Sequence, residues 1–118
     1  MDASSSAQLL AAHRATAEVH LVELTAELDR LAIASADSNL DDEHDPEGAT
    51  VGFERAQLSA LLDRAREQLR ELEAAAHRLE SGRYGRCERC DNPIGDERLL
   101  ALPAARLCIR CAGQAGRR

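Results

Sequence analysis

Tryptophan and lysine are absent from this chain of 118 residues, which holds a single phenylalanine and a single tyrosine. Aromatic side chains supply much of the buried area of ordinary cores. Their scarcity excludes a large globular core and points to one small module on an elongated support. No apolar run approaches the ~20 residues needed to cross a bilayer, so no helical membrane span is expected. The opening residues carry no basic stretch, and Leu9–Ala12 is too short for the apolar core of a secretion signal, so the chain is expected in the cytoplasm. No serine, histidine and aspartate arrangement, phosphate loop or buried acid pair can be assembled, and an enzyme is not expected.

What is present is charge, unevenly placed. Residues 1–50 hold 11 acidic groups against Arg14 and Arg30, a net of −9, whereas residues 83–118 hold 4 acidic groups and 8 arginines, a net of +4. The acidic half would be repelled by phosphate backbones, while the basic end suits an acidic protein surface or nucleic acid.

Two stretches repeat apolar residues at steps of 4 and 3. The first runs Leu10, Arg14, Ala17, Leu21, Leu24, Leu28, Leu31; the second runs Leu58, Leu62, Ala65, Leu69, Leu72, Ala76, Leu79. That spacing is the seam of a coiled coil. Helices are expected over about 5–36 and about 51–81, the first capped by hydroxyls in the run Asp2-Ala-Ser-Ser-Ser6 and the second stopped at Gly82. Between them, about 37–50 is rich in Asp, with Pro46 and Gly48, and reads as an acidic turn. Seams of similar length joined by one turn fold most simply as a monomeric antiparallel hairpin over residues 1–82. His13, His20 and His77 are expected on its surface.

Residues 83–118 contain all four cysteines. Cys87, Cys90, Cys108 and Cys111 form two C-x2-C pairs separated by 17 residues. Four thiolates satisfy the tetrahedral preference of zinc, and two-residue spacing lets each knuckle aim both sulfurs at one point. Disulfides would suit a secreted domain, and a redox C-x-x-C would need a βαβ setting that this sequence lacks. One structural zinc ion is the reading that fits. Ile94, Leu99, Leu100, Leu102 and Leu107 are the candidate core of this module, with a short helix starting near Pro103 and a frayed basic tail from Gly113. The fold class is therefore all-α dominated: an antiparallel two-helix coiled-coil hairpin with a small C-terminal C4 zinc finger.

The run Gly82-x-Tyr84-Gly85-x-Cys87-x-x-Cys90, then Ile94, Arg98-Leu99-x-Ala101-x-Pro103 and Cys108-x-x-Cys111, resembles the zinc finger of the DksA/TraR family. The resemblance implies a bacterial transcription regulator that binds RNA polymerase and does not bind DNA sequence-specifically. It implies that the hairpin enters the secondary channel of the enzyme and brings an acidic tip, here Asp41, Asp42 and Asp45, near the catalytic magnesium region. The DksA branch carries D-x-x-D-x-A at that tip. This chain keeps Asp45 but has Gly48 and Thr50 at the other two places, with Asp42 and Asp45 as a displaced D-x-x-D. The family's usual glycine after the second cysteine is Asp91, which still tolerates a left-handed backbone.

The resemblance also implies a site for the alarmone ppGpp. Its basic positions fall here on Glu71, Arg98, Leu102 and Ala112, so only Arg98 keeps the charge and little dependence on ppGpp is expected. Two other readings compete. One is a zinc-stabilised coiled-coil adaptor. The other is a zinc-ribbon nucleic-acid binder that uses its arginines, which the lack of stacking aromatics disfavours.

Overall fold

The computed structural model describes residues 1–38 and 46–115. Asp41, Asp42 and Asp45, the expected acidic tip, lie outside the described residues. The chain forms four helices among those described: α1 (Ala3–Ser38), α2 (Pro46–Glu80), α3 (Asp96–Ala101) and α4 (Ile109–Ala115). The only strand-like pairing among them is an isolated antiparallel bridge between Arg86 and Pro93. No described helix is long and apolar enough to cross a membrane.

Each long helix ends where local chemistry dictates. At the start of α1 the Asp2 carboxylate accepts the Ser5 N–H at 2.7 Å, satisfying a donor that has no partner inside the helix. The cap is Asp2 rather than a serine hydroxyl, and α1 begins two residues earlier than expected. Pro46 opens α2 five residues before the expected start. A proline is favourable at a first helical position because the N–H it lacks would be unsatisfied there in any case. At the far end, the Arg83 N–H donates to the Arg78 carbonyl at 2.8 Å and the Gly82 N–H to the Leu79 carbonyl at 3.2 Å. With Gly82 at φ 74°, this is a Schellman closure, and glycine bears that backbone without strain.

The described chain divides into two compact units. One is Ala17–Gln68; the other combines Met1–Thr16 with Leu69–Arg118. In the first, Leu24 of α1 buries itself with Leu62 and Ala65 of α2, and Leu21, Leu28 and Leu58 pack around them. The pairing is antiparallel. In the second, Leu10, Leu72 and Ala75 are buried, and Arg14 of α1 meets Glu73 of α2 at 3.4 Å. The seam is thus occupied much as the heptads read, with one shift: Ala75 is completely buried, whereas the heptad position Ala76 is half-buried. A straight helix drifts against a strict seven-residue repeat, and the base of α2 also has the finger against it. His20 and His77 are exposed, while His13 is half-buried.

The finger has its own core of Cys87, Ile94, Leu99 and Cys111, flanked by Tyr84, Ala105, Leu107 and Cys108. Leu100 and Leu102 do not join it; they are 57% and 52% exposed. Leu99 takes the one inward position of the six-residue α3, which turns its neighbour Leu100 outward. The helix expected near Pro103 instead begins at Ile109, after a turn in which the Ala105 N–H donates to the Leu102 carbonyl at 3.0 Å. Gly113 lies inside α4 rather than in a frayed tail.

Candidate metal centre

The first knuckle is built by backbone geometry. The Cys87 N–H donates to the Asn92 carbonyl and the Asp91 N–H to the Cys87 carbonyl, both at 2.9 Å, folding residues 87–92 back on themselves. The Ile94 N–H closes the loop on the Gly85 carbonyl at 2.8 Å. Gly85 adopts φ 85°, and a Cβ there would touch Leu99 Cδ1 at 3.5 Å. Asp91 completes the reversal at φ 61°, a left-handed backbone that aspartate tolerates. The second knuckle joins a turn to a helix, with Cys108 just before α4 and Cys111 in its first turn.

These two knuckles converge. The four sulfurs of Cys87, Cys90, Cys108 and Cys111 all lie within 4.8 Å of one another, and no pair is bonded as a disulfide. Zinc–sulfur bonds of ~2.3 Å in a tetrahedron place neighbouring sulfurs about 3.8 Å apart. Cys90 Sγ and Cys108 Sγ stand at 3.7 Å. Four thiolates leave no coordination position for water, so the centre holds one zinc ion as a structural element.

The electrostatics of the sulfurs fit a cation. Burial disfavours the Cys87 thiolate, but N–H groups of Cys108, Cys90 and Arg89 aimed at the sulfur outweigh it and bring the thiol down to about 6. The Cys111 N–H, 3.5 Å from Cys108 Sγ, lowers Cys108 as well. Cys111 goes the other way: burial and then the neighbouring sulfurs of Cys108, Cys87 and Cys90 push it up to about 12. Cys111 thus resists ionisation beside its neighbours, and a bound dication removes that resistance.

Three side chains that the spacing did not single out tie the finger together. Tyr84 Oη donates to the Pro103 carbonyl at 2.8 Å, Arg78 Nη2 to the Ala104 carbonyl at 3.3 Å, and Arg98 Nε to the Leu107 carbonyl at 2.9 Å. The bond of Tyr84 ties the chain before the first knuckle to the turn after α3, that of Arg98 ties α3 to the residue before Cys108, and that of Arg78 ties α2 to the turn before the second knuckle. Arg98 was read only as a contact for a ligand or partner; here its guanidinium is bound to the finger's own backbone.

Asp91 offers a direct test of the knuckle geometry. Asp91→Gly should change stability by no more than about 0.5 kcal/mol, since relief of the left-handed strain offsets the entropy glycine adds to the unfolded chain. Asp91→Val should cost about 1–2 kcal/mol, because a β-branched residue is a true outlier at positive φ. Urea unfolding of the zinc-loaded variants reads both, and equal stability for Gly and Val would show that the knuckle does not need this backbone.

The fold and the finger both have counterparts among known proteins. A family model described as prokaryotic dksA/traR C4-type zinc finger matches residues 82–115. The RNA polymerase-binding transcription factor DksA of Escherichia coli is 41% identical over 49 residues, covering 42% of this chain and 32% of that protein. YteA of Bacillus subtilis is 42% identical over 64 residues, covering 54% of this chain and 27% of that protein. The match to each curated relative therefore spans about a third or less of the relative's length. The structure of the transcription factor DksA2 from Pseudomonas aeruginosa superposes with a TM-score of 0.80 at 30% identity, covering 100% of this chain and 88% of the other.

Proposed function

The chain belongs to the DksA/TraR family of C4 zinc-finger proteins, and on that premise we propose that it regulates transcription by binding RNA polymerase rather than promoter DNA. The observation that carries this reading is the pairing of a four-sulfur finger with an antiparallel helical hairpin, a combination shared along the whole chain with a transcription factor. The charge distribution supports the finer geometry. An acidic hairpin with a net of −9 in residues 1–50 is repelled by a DNA backbone but suited to a basic, nucleic-acid-handling pore. In this reading the chain works as a cytoplasmic monomer. Its hairpin enters the secondary channel with Asp41, Asp42 and Asp45 leading, and the finger stays on the outer surface. It carries no catalytic group of its own.

A pull-down with core RNA polymerase, run beside a gel shift with promoter DNA, tests the proposal. Retention on polymerase with no shift of DNA is the expected result. The reverse pattern would favour a nucleic-acid-binding ribbon, and failure of both would favour a coiled-coil adaptor. Alanine at Asp42 and Asp45 should change transcription output while leaving polymerase retention intact; unchanged output would reduce the tip to a solvated turn. Dependence on ppGpp should be weak. Among Glu71, Arg98, Leu102 and Ala112 only Arg98 is cationic, and its Nε is already engaged by the Leu107 carbonyl.

A further inference from the structure

The pair of helices in Ala17–Gln68 is apolar on its outside as well as in its seam. On α1, Val19, Val22 and Ile33 are 58%, 68% and 65% exposed. At about 100° of turn per residue, Val19 and Val22 lie about 140–160° around the helix from Leu24, and Ile33 about 140° from Leu28, so all three face away from α2. Single exposed aliphatics are ordinary, but these follow the helical repeat. Val19, Val22, Ala26, Asp29 and Ile33 form a second stripe on α1, and Asp29 is its one polar member. On α2, the chain's single phenylalanine, Phe53, is 65% exposed. It lies about 140° around from Leu58 and so faces away from α1. Farther along α2 the outward side turns to charge, with Asp63 paired to Arg66 at 3.8 Å.

Charge, area and symmetry together constrain what covers these faces. Glu18, Glu23 and Asp29 lie on or beside the α1 stripe with Arg30, three acids against one arginine, a net of −2. A second copy would bring two such acidic rims together, whereas a surface with basic side chains complements them. Three aliphatic side chains expose a few hundred Å² at most, well short of the ~800 Å² per partner in a stable interface, so the stripe alone does not hold a dimer. A two-fold dimer through α1 would also leave Phe53 uncovered on the other side of the helix pair. Copies on both sides would grow into an open chain instead of closing. A concave, basic surface that takes in both sides of the helix pair meets all three conditions.

We propose that Val19, Val22 and Ile33 on one side, with Phe53 on the other, grip an aliphatic cleft rimmed by basic side chains in a larger protein partner. The inference rests on the polymerase reading above and adds a division of labour to it: these side faces supply affinity, while Asp42 and Asp45 act on transcription output.

The test is fluorescence anisotropy of the labelled, zinc-loaded full chain titrated with core RNA polymerase. Glutamine is a good helix former, so Val19→Gln with Val22→Gln, Ile33→Gln and Phe53→Gln should keep the parent's circular dichroism. The double variant should bind about tenfold more weakly, and Ile33→Gln and Phe53→Gln each about threefold, the effect of losing partly buried aliphatic or aromatic contact. Leu61→Gln, on the flank of α2 between the seam and the outward side, should bind like the parent. A parent that binds, with face variants that bind equally well, overturns the grip and leaves polymerase binding standing. A parent that does not bind overturns both. Sedimentation of the chain alone should show a monomer; a dimer broken by Val22→Gln would assign the face to a second copy and overturn the proposal.

Discussion

Changing Cys111 to serine is expected to release the zinc ion and unfold the finger, while the pairing of α1 with α2 in Ala17–Gln68 survives. Cys111 is one of the four core members of the finger, together with Cys87, Ile94 and Leu99. So small a core cannot offset the chain entropy of some thirty residues, and the metal supplies the difference. Structural zinc contributes about 10–16 kcal/mol in small finger peptides, and most of that is lost when a thiolate becomes a hydroxyl. The three remaining sulfurs have no reason to stay together, because without the cation they repel as they ionise. Zinc binding releases protons from the thiols, so acid should act in the same direction as the substitution, with affinity falling as pH falls. The unit Ala17–Gln68 has a separate cluster around Leu24, Leu62 and Ala65, which the substitution leaves intact. Metal analysis under reducing conditions should give one zinc per chain for the parent and less than about half for the variant. Hydrogen exchange should show protection lost over residues 83–115 and kept around Leu24 and Leu62. A variant that keeps full zinc and full finger protection would refute the structural role.

The parts of this fold that were legible in the sequence are those with a short repeat. Leu10, Ala17, Leu24, Leu62, Ala65 and Leu72 are buried where the 4-3 spacing put them, because the seam of a helix pair is a periodic object. The cysteines were legible for a related reason: a zinc knuckle holds its two cysteines with two residues between them. Gly82 could be read from backbone preference and Asp91 from the glycine that the family resemblance puts in its place, and both hold positive φ. What was not legible has no local signature. A helix of six residues such as α3 is shorter than any window in which periodicity can be recognised, so Leu100 and Leu102 passed as core when only Leu99 faces inward. The bonds from Arg78, Tyr84 and Arg98 reach carbonyls 26, 19 and 9 residues away. A guanidinium that braces a carbonyl is indistinguishable in sequence from one that awaits a ligand, and this is why Arg98 was read only as a contact.

The same distinction between periodicity and depth decides which leucine matters most in Ala17–Gln68. Leu28 sits on the seam as squarely as Leu62 does, but Leu28 is half-buried at the margin of the cluster, whereas Leu62 is 5% exposed and lies against Leu24 and Ala65. Truncating Leu62 to alanine removes methyl groups packed on all sides and leaves a cavity that two long helices cannot close without losing their register. The expected cost is about 2–5 kcal/mol, a large share of the ~5–15 kcal/mol that stabilises an ordinary domain. Leu28→Ala should cost less, because solvent already reaches part of that side chain. Leu61→Ala is the control: Leu61 is one residue away but 43% exposed, and its loss should cost about 1 kcal/mol or less. Zinc content separates this effect from the one at Cys111, since the finger core contains none of the three leucines and every one of these variants should keep one ion per chain. Urea unfolding followed by circular dichroism gives the ranking Leu62, then Leu28, then Leu61. Equal losses for Leu62 and Leu61 would mean that α1 and α2 do not bury this seam against each other, and the hairpin arrangement would have to be abandoned.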